Sequence, residues 1–215
     1  ELRTPIAIAQ TNIEVTEMEE KATIKDYKRL MEVLKMSLDR INRLSDNLLL
    51  LSEGEQSRVK WSVVDISVLL GEVITETNAK AIDAGIGLEL QPVQEEMLVM
   101  GDAIPLKQAV VNLVDNAIKY NHSKGTVKVS AQSEGAQLVL QVQDSGIGIA
   151  MADQQHIFDR LYRVDKSRSR SQGGSGLGLA IVQKVVEDHG GTLSVKSTRG
   201  KGSTFLISLP RYIPT

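Results

Sequence analysis

The sequence predicts an α+β chain: a helical hairpin over residues 1–54, then an α/β sandwich over residues 55–215 with a mixed, mostly antiparallel sheet and helices on one face. Three observations carry this. From Ile24 to Glu53 there is no Gly or Pro, and Leu30, Leu34, Ser37, Ile41, Leu44, Leu48 and Leu51 step by alternating fours and threes, the spacing of a coiled-coil seam. The run Ser52-Glu-Gly54-Glu-Gln-Ser-Arg58 then breaks the pattern and reads as a hinge. Beyond it, separate helical stretches alternate with strand pairs, the layout of helices packed on a sheet.

Each element has a local reason. Thr4 to Glu19 forms the first helix, with Pro5 near its start, where a missing N–H is tolerated. A turn near Glu20 to Thr23 leads into the long helix. Two helices cover so narrow a stripe poorly, so two chains are expected to pair into a four-helix bundle. Asp65 caps a helix running to about Ala84, and Ile86 to Gln91 and Met97 to Met100 are short strands. Gly101-Asp102 leads into a helix from about Ala103 to Asn121. Thr126 to Ser133 and Gln137 to Gln143 alternate as strands around a Ser-Glu-Gly-Ala turn. Ser175 to His189 is a further helix ended by Gly190-Gly191, and Thr192 to Ser197 with Ser203 to Leu209 close the chain as a hairpin.

Composition removes several function classes. The net charge is −2 with both signs interspersed, so no footprint for nucleic acid or an anionic membrane is present. One Trp, four Tyr and two Phe are too few for base stacking along a basic groove. The absence of cysteine excludes disulfides, thiolate metal sites and cysteine nucleophiles. No apolar run approaches the roughly 20 residues that span a bilayer.

Four motifs then occur in a fixed order: Asn112-Leu-Val-Asp-Asn116-Ala-Ile-Lys119-Tyr120, Asp144-Ser-Gly146-Ile-Gly148, Phe158-Asp-Arg-Leu-Tyr162-Arg163 and Gly174-Ser-Gly176-Leu-Gly178-Leu. On the helix over 103–121, Gln108, Asn112, Asp115, Asn116, Lys119 and Tyr120 share one arc, with Leu106, Val110, Val111, Leu113, Val114, Ala117 and Ile118 opposite. Asn is a poor helix former, yet two stand four apart on the polar face. Their amide oxygens are neutral hard ligands suited to Mg²⁺ beside phosphates. A buried Asp144 can accept a hydrogen bond from adenine's exocyclic amine, whereas guanine presents an oxygen there. Gly146 and Gly148 remove side chains so that backbone can approach a ligand. Lys166, Arg168 and Arg170 lie among serines before two glycines, a composition suited to a cationic cover over a triphosphate. Free N–H groups at the start of the Gly174–Gly178 helix favour anions. The spacing of those glycines is superficially that of a dinucleotide fingerprint, but no buried strand precedes it, so that site is rejected.

In this order, with Glu1-Leu-Arg-Thr4-Pro5 ahead of them, the motifs resemble those of bacterial two-component sensor histidine kinases and the wider Hsp90-like ATPase group. The resemblance covers nearly the whole chain. It implies ATP and Mg²⁺ as ligands, with Asn116 on the metal and Asn112 supporting the metal–phosphate region. It also implies that Lys119 approaches phosphate, Tyr120 packs near the adenine and Asp144 reads the base. Phe158 and Tyr162 would anchor the cover, and Arg163 would contact phosphate. Gly200-Lys-Gly202-Ser-Thr204-Phe is similar to the family's last glycine box, which brings Thr204 into the set. Leu161 stands where the family often has phenylalanine.

The same resemblance implies that a histidine precedes the glutamate of the first motif and takes the γ-phosphoryl of ATP. Glu1 would orient that histidine and accept its proton, and Thr4 would position water for dephosphorylating a response regulator. His122, His156 and His189 all lie in the nucleotide domain, so a chain beginning at Glu1 is expected to bind Mg-ATP without forming phosphohistidine. The expected partners are a second copy, through the hairpin, and the receiver domain of a response regulator. The expected setting is the cytoplasmic part of a membrane-anchored parent. The competing readings are a dimeric scaffold or phosphatase that uses nucleotide only structurally, and a gyrase- or MutL-like ATPase, which the Glu1–Pro5 motif and the seam upstream disfavour.

Overall fold

The computed structural model describes residues 3–19, 22–52, 61–92, 97–164 and 176–214. Packing divides the chain into Glu1–Gln56 and Ser57–Thr215, and each unit is described by itself. Of the expected hinge over 52–58, Ser52 ends a helix and residues 53–58 lie outside the described residues.

The first unit is a hairpin of α1 (Arg3–Met18) and α2 (Ile24–Ser52). Thr23 and Asp26 set the start of α2 reciprocally: the Asp26 N–H donates to Thr23 Oγ1, while the Thr23 N–H and hydroxyl donate to Asp26 Oδ2. Those bonds hold the Asp26 carboxyl below its ordinary pKa. Pro5 and Ser37 are buried, and Leu30, Leu34 and Ile41 are half-buried. The last three seam positions, Leu44, Leu48 and Leu51, lie outside the described side chains.

The second unit is an α/β sandwich, as predicted. Its helices are α3 (Ile66–Asp83), α4 (Ala103–Lys119), α5 (Met151–Gln154) and α6 (Gly178–Asp188). Strands β1 (Ser62–Asp65) and β3 (Leu98–Gly101) pair antiparallel as a small sheet. The main sheet runs β2-β4-β5-β7-β6, with β2 at Gly87–Leu90, β4 at Thr126–Glu134, β5 at Gln137–Asp144, β6 at Thr192–Thr198 and β7 at Gly202–Pro210. Only β2 joins it parallel. Val127, Val129, Ala131, Leu138, Leu140, Val142, Phe205, Ile207 and Leu209 are buried on one face, and α3, α4 and α6 pack there.

Asp65 caps α3 by accepting from the Ser67 N–H at 2.8 Å, and Asp102 caps α4 by accepting from the Ile104 N–H at 3.1 Å. The buried Leu, Val and Ile side chains of α4 each contribute about 1.5–3 kcal/mol. That outweighs the cost of its two asparagines, at most about 0.7 kcal/mol each. Two four-residue elements, β1 and α5, were not anticipated. Helix α6 begins at Gly178 rather than Ser175 because Gly176 adopts φ +70°, outside right-handed helical geometry. Among the described residues no helix is long and apolar enough to cross a membrane.

Candidate nucleotide site

Helix α4 supplies one wall. Its apolar residues are buried as expected, and Asn112, Asn116 and Lys119 are half-buried on the opposite arc. Asp115 bonds Lys80 of α3 at 2.7 Å. Lys119 Nζ lies 5.0 Å from the centre of the Tyr120 ring. A Cβ placed on Gly178, the first residue of α6, would lie 4.0 Å from both Asn112 Cγ and Asn116 Nδ2. The two asparagines therefore stand beneath the opening turn of α6, whose N-cap residue Leu177 offers no side-chain acceptor.

Asp144 ends β5 as the second wall. Val127 pairs with it and is fully buried, so Asp144 faces the helices. Its Oδ1 accepts from the Gly146 N–H at 2.8 Å and the Ser203 N–H at 3.2 Å. Burial nonetheless pushes the Asp144 carboxyl above its ordinary pKa, against those two N–H groups and the charge of His122.

The glycines of this loop serve the protein's own packing. Ile147 N–H donates to Tyr120 O at 3.0 Å, and a Cβ on Gly146 would overlap that same oxygen. The loop is thus pressed against the end of α4, joining the two walls. Gly148 packs on the backbone of Thr198. Gly202, at φ +93°, lies so close to Asp144 O that a Cβ there would overlap it. Close approach of backbone was expected from Gly146 and Gly148; the partner it meets here is protein backbone.

Thr204 does not join the site. It pairs with Gln143, which pairs with Lys128, so all three lie on the open face, opposite Asp144. Ser203, buried and one residue earlier, is the residue that reaches Asp144. Counting back two from the apolar, inward Phe205 signals this in the sequence. Asn121 was also missed: its Oδ1 accepts from Ser145 Oγ and from the His122 N–H, and its Nδ2 donates to Thr126 O. It ties the end of α4 to the Asp144 loop.

Tyr162 donates to Asp153 Oδ1 at 2.8 Å, which raises the phenol's pKa, and its ring lies 5.5 Å from His156. The Leu161 N–H donates to Gly176 O at 3.0 Å. Phe158 and Arg163 are half-buried. Glu1, Lys166, Arg168, Arg170 and Gly174 lie outside the described residues. Thr4 is exposed in the first turn of α1. A separate cavity of about 290 Å³ is lined by Trp61, Met100, His189, Pro210 and Tyr212, none of them a predicted site residue.

Two observations fit an anionic nucleotide with its cation. Asn112 Nδ2 is buried without a hydrogen-bond partner among the described residues, and the asparagine pair supplies neutral oxygens of the kind Mg²⁺ accepts. The sequence matches the histidine kinase-, DNA gyrase B- and HSP90-like ATPase family over residues 101–213. The chain belongs to that family. The matched span runs from the end of β3 through β7 and holds both α4 and Asp144, and membership of this ATPase family implies ATP binding.

Relatives of the chain include sensor histidine kinases. RppB of Synechocystis sp. is 36% identical over 99% of the chain and 47% of its own length. The chain spans about half the length of such curated relatives. The solved mycobacterial sensor histidine kinase MprB is 30% identical, with a TM-score of 0.62 over 72% of this chain and 99% of that one. The histidine kinase ThkA, solved in complex with the response regulator protein TrrA, shares the fold at 23% identity, with a TM-score of 0.72 over 98% of this chain and 59% of that one.

Proposed function

We propose that this chain is the dimerisation and catalytic portion of a two-component sensor histidine kinase. It binds Mg-ATP, passes the γ-phosphoryl to a histidine and then to an aspartate of a response regulator, and acts as a phosphatase toward that regulator. The observation that supports the reading is the junction of α4, which carries the amide pair, with the loop that follows the half-buried carboxylate of Asp144.

Asp144 accepts from the adenine amine, Lys119 and Arg163 meet phosphate, and Tyr120 covers the base. Asn116 holds Mg²⁺, which neutralises phosphate charge when bound. Ser203, whose N–H donates to Asp144, takes the place in the site that the resemblance gave to Thr204. Thr4, exposed on α1, is free to position water, and Glu1 serves as the base beside the acceptor histidine. Dimerisation is supported by Ile6, Ile8, Val15, Met31, Met36 and Leu38, large apolar side chains left exposed on the hairpin; a second hairpin covers them in a four-helix bundle. The solved complex of ThkA with its response regulator supports a receiver domain as partner. A cytoplasmic position below a membrane anchor follows from the same reading.

The test uses the chain with a histidine placed before Glu1, incubated with γ-labelled ATP and Mg²⁺. Label held on protein, stable to base and released by acid, is the expected result. ATP binding without label would overturn the kinase reading in favour of a nucleotide-binding scaffold.

A further inference from the structure

Helices α4 and α6 pack side by side and run in opposite directions. Gly178, the first residue of α6, lies beside Asn112 and Asn116. His189, the residue that follows the last turn of α6, meets Asp102, the cap of α4. The 11 residues of α6 separate these two contacts by about 16 Å, at about 1.5 Å per residue. The His189 side chain is 4% exposed, and both ring nitrogens are engaged. Nδ1 donates to Val185 O at 2.7 Å, and Nε2 accepts from the Asp102 N–H at 3.0 Å, across 87 positions of sequence. As the cap of α4, Asp102 has no carbonyl within the helix for that N–H. Gly101 leaves room for the ring: a Cβ there would lie 2.5 Å from His189 Cδ2 and 2.9 Å from Nε2. Gly101 has no left-handed φ, so the imidazole and not the backbone accounts for the glycine. A side chain that only filled this space would need neither nitrogen. A bond of this length is lost within about half an ångström of stretch, so the two bonds limit how far α6 slides along α4.

We propose that His189 is a positioning residue for ATP binding: its imidazole, tied to Val185 O and to the Asp102 N–H, fixes the register of α6 on α4 and so holds the opening turn of α6 beside Asn112 and Asn116. The inference rests on the ATP-binding reading above and adds a residue remote from the ligand. Its effect falls on the phosphate end of the nucleotide, which the opening turn of α6 faces, and spares the base end at Asp144. By linkage, ATP in turn strengthens the bond between His189 and Asp102.

Calorimetry on the full chain with Mg-ATP and with adenosine tests this in three variants. His189→Gln keeps an acceptor where Nε2 stood and is expected to stay within about threefold of wild type for Mg-ATP. His189→Asn and His189→Phe lose that acceptor and are expected to bind Mg-ATP roughly three- to tenfold more weakly. Adenosine is expected to stay within about twofold in all three. A role in packing alone predicts the reverse order, with the space-filling His189→Phe nearest wild type. That order, or an equal loss for adenosine, would overturn the inference and leave the ATP reading standing. Wild type alone decides if the variants fail to fold. At ligand concentrations giving the same gain in melting temperature, Mg-ATP is expected to slow hydrogen exchange of the Asp102 amide more than adenosine does, and equal slowing would overturn the inference. A wild-type chain that binds no ATP would overturn both.

Discussion

Asp144 concentrates two opposed requirements in one side chain. Reading adenine needs an ionised carboxylate, and burial favours the neutral acid. Because the folded-state pKa is raised, the folded chain holds this proton more tightly than the unfolded chain does. Ionised Asp144 therefore opposes folding at neutral pH, and that opposition fades as pH falls through the raised value. In the proposed role, the same protonation removes the acceptor offered to the adenine amine. Asp144→Asn is expected to bind ATP at least about tenfold more weakly by calorimetry, with a melting temperature at pH 7 equal to or above wild type. Wild-type affinity should decline on acidification above the usual carboxylate range, a decline missing from the variant. A clear drop in the variant's melting temperature would show that the carboxylate stabilises the fold and contradict this account.

At the scale of elements, the site depends on loops pressed onto helix and strand ends. Gly202 sits against Asp144 O at φ +93°, so Gly202→Ala combines overlap with left-handed backbone and is expected to destabilise the unit by about 2–4 kcal/mol. Chemical denaturation measures it, and a cost below about 0.5 kcal/mol would mean the strand end yields easily. Thr204→Val, on the open face, serves as the control and should leave ATP affinity unchanged. The sequence made the helices legible because they bury long stripes: Asp65 caps α3 as expected, and Asp102, expected only to lead into α4, caps it. It also brought Asn112, Asn116 and Asp144 into view, since those residue types are locally expensive where they stand. Other features were hidden for physical reasons. The one-residue distinction between Ser203 and Thr204 is set by strand register, and Asn121 works through contacts with residues distant in sequence. The true cause of Gly146, contact with Tyr120 O, exists only once α4 and β5 are packed.

For the whole molecule, the two units carry separate tasks. The hairpin leaves large apolar side chains exposed along both helices, more than an isolated helix pair hides. Sedimentation is expected to give twice the 23.5 kDa chain mass at micromolar concentration, and charges placed at Met31 and Leu38 should return the monomer. A monomer from the unaltered chain would contradict the bundle. In the second unit one imidazole has a wider consequence. His189 sits at the C-terminal end of α6 with Nδ1 against Val185 O at 2.7 Å, while the Asp102 N–H, at the start of α4, donates to Nε2 at 3.0 Å. A carbonyl only accepts, so the ring carries its hydrogen on Nδ1 and spans the two helices as a single rivet. The tail of α6 and the head of α4 are therefore coupled, and fraying of either end strips a hydrogen-bond partner from the other.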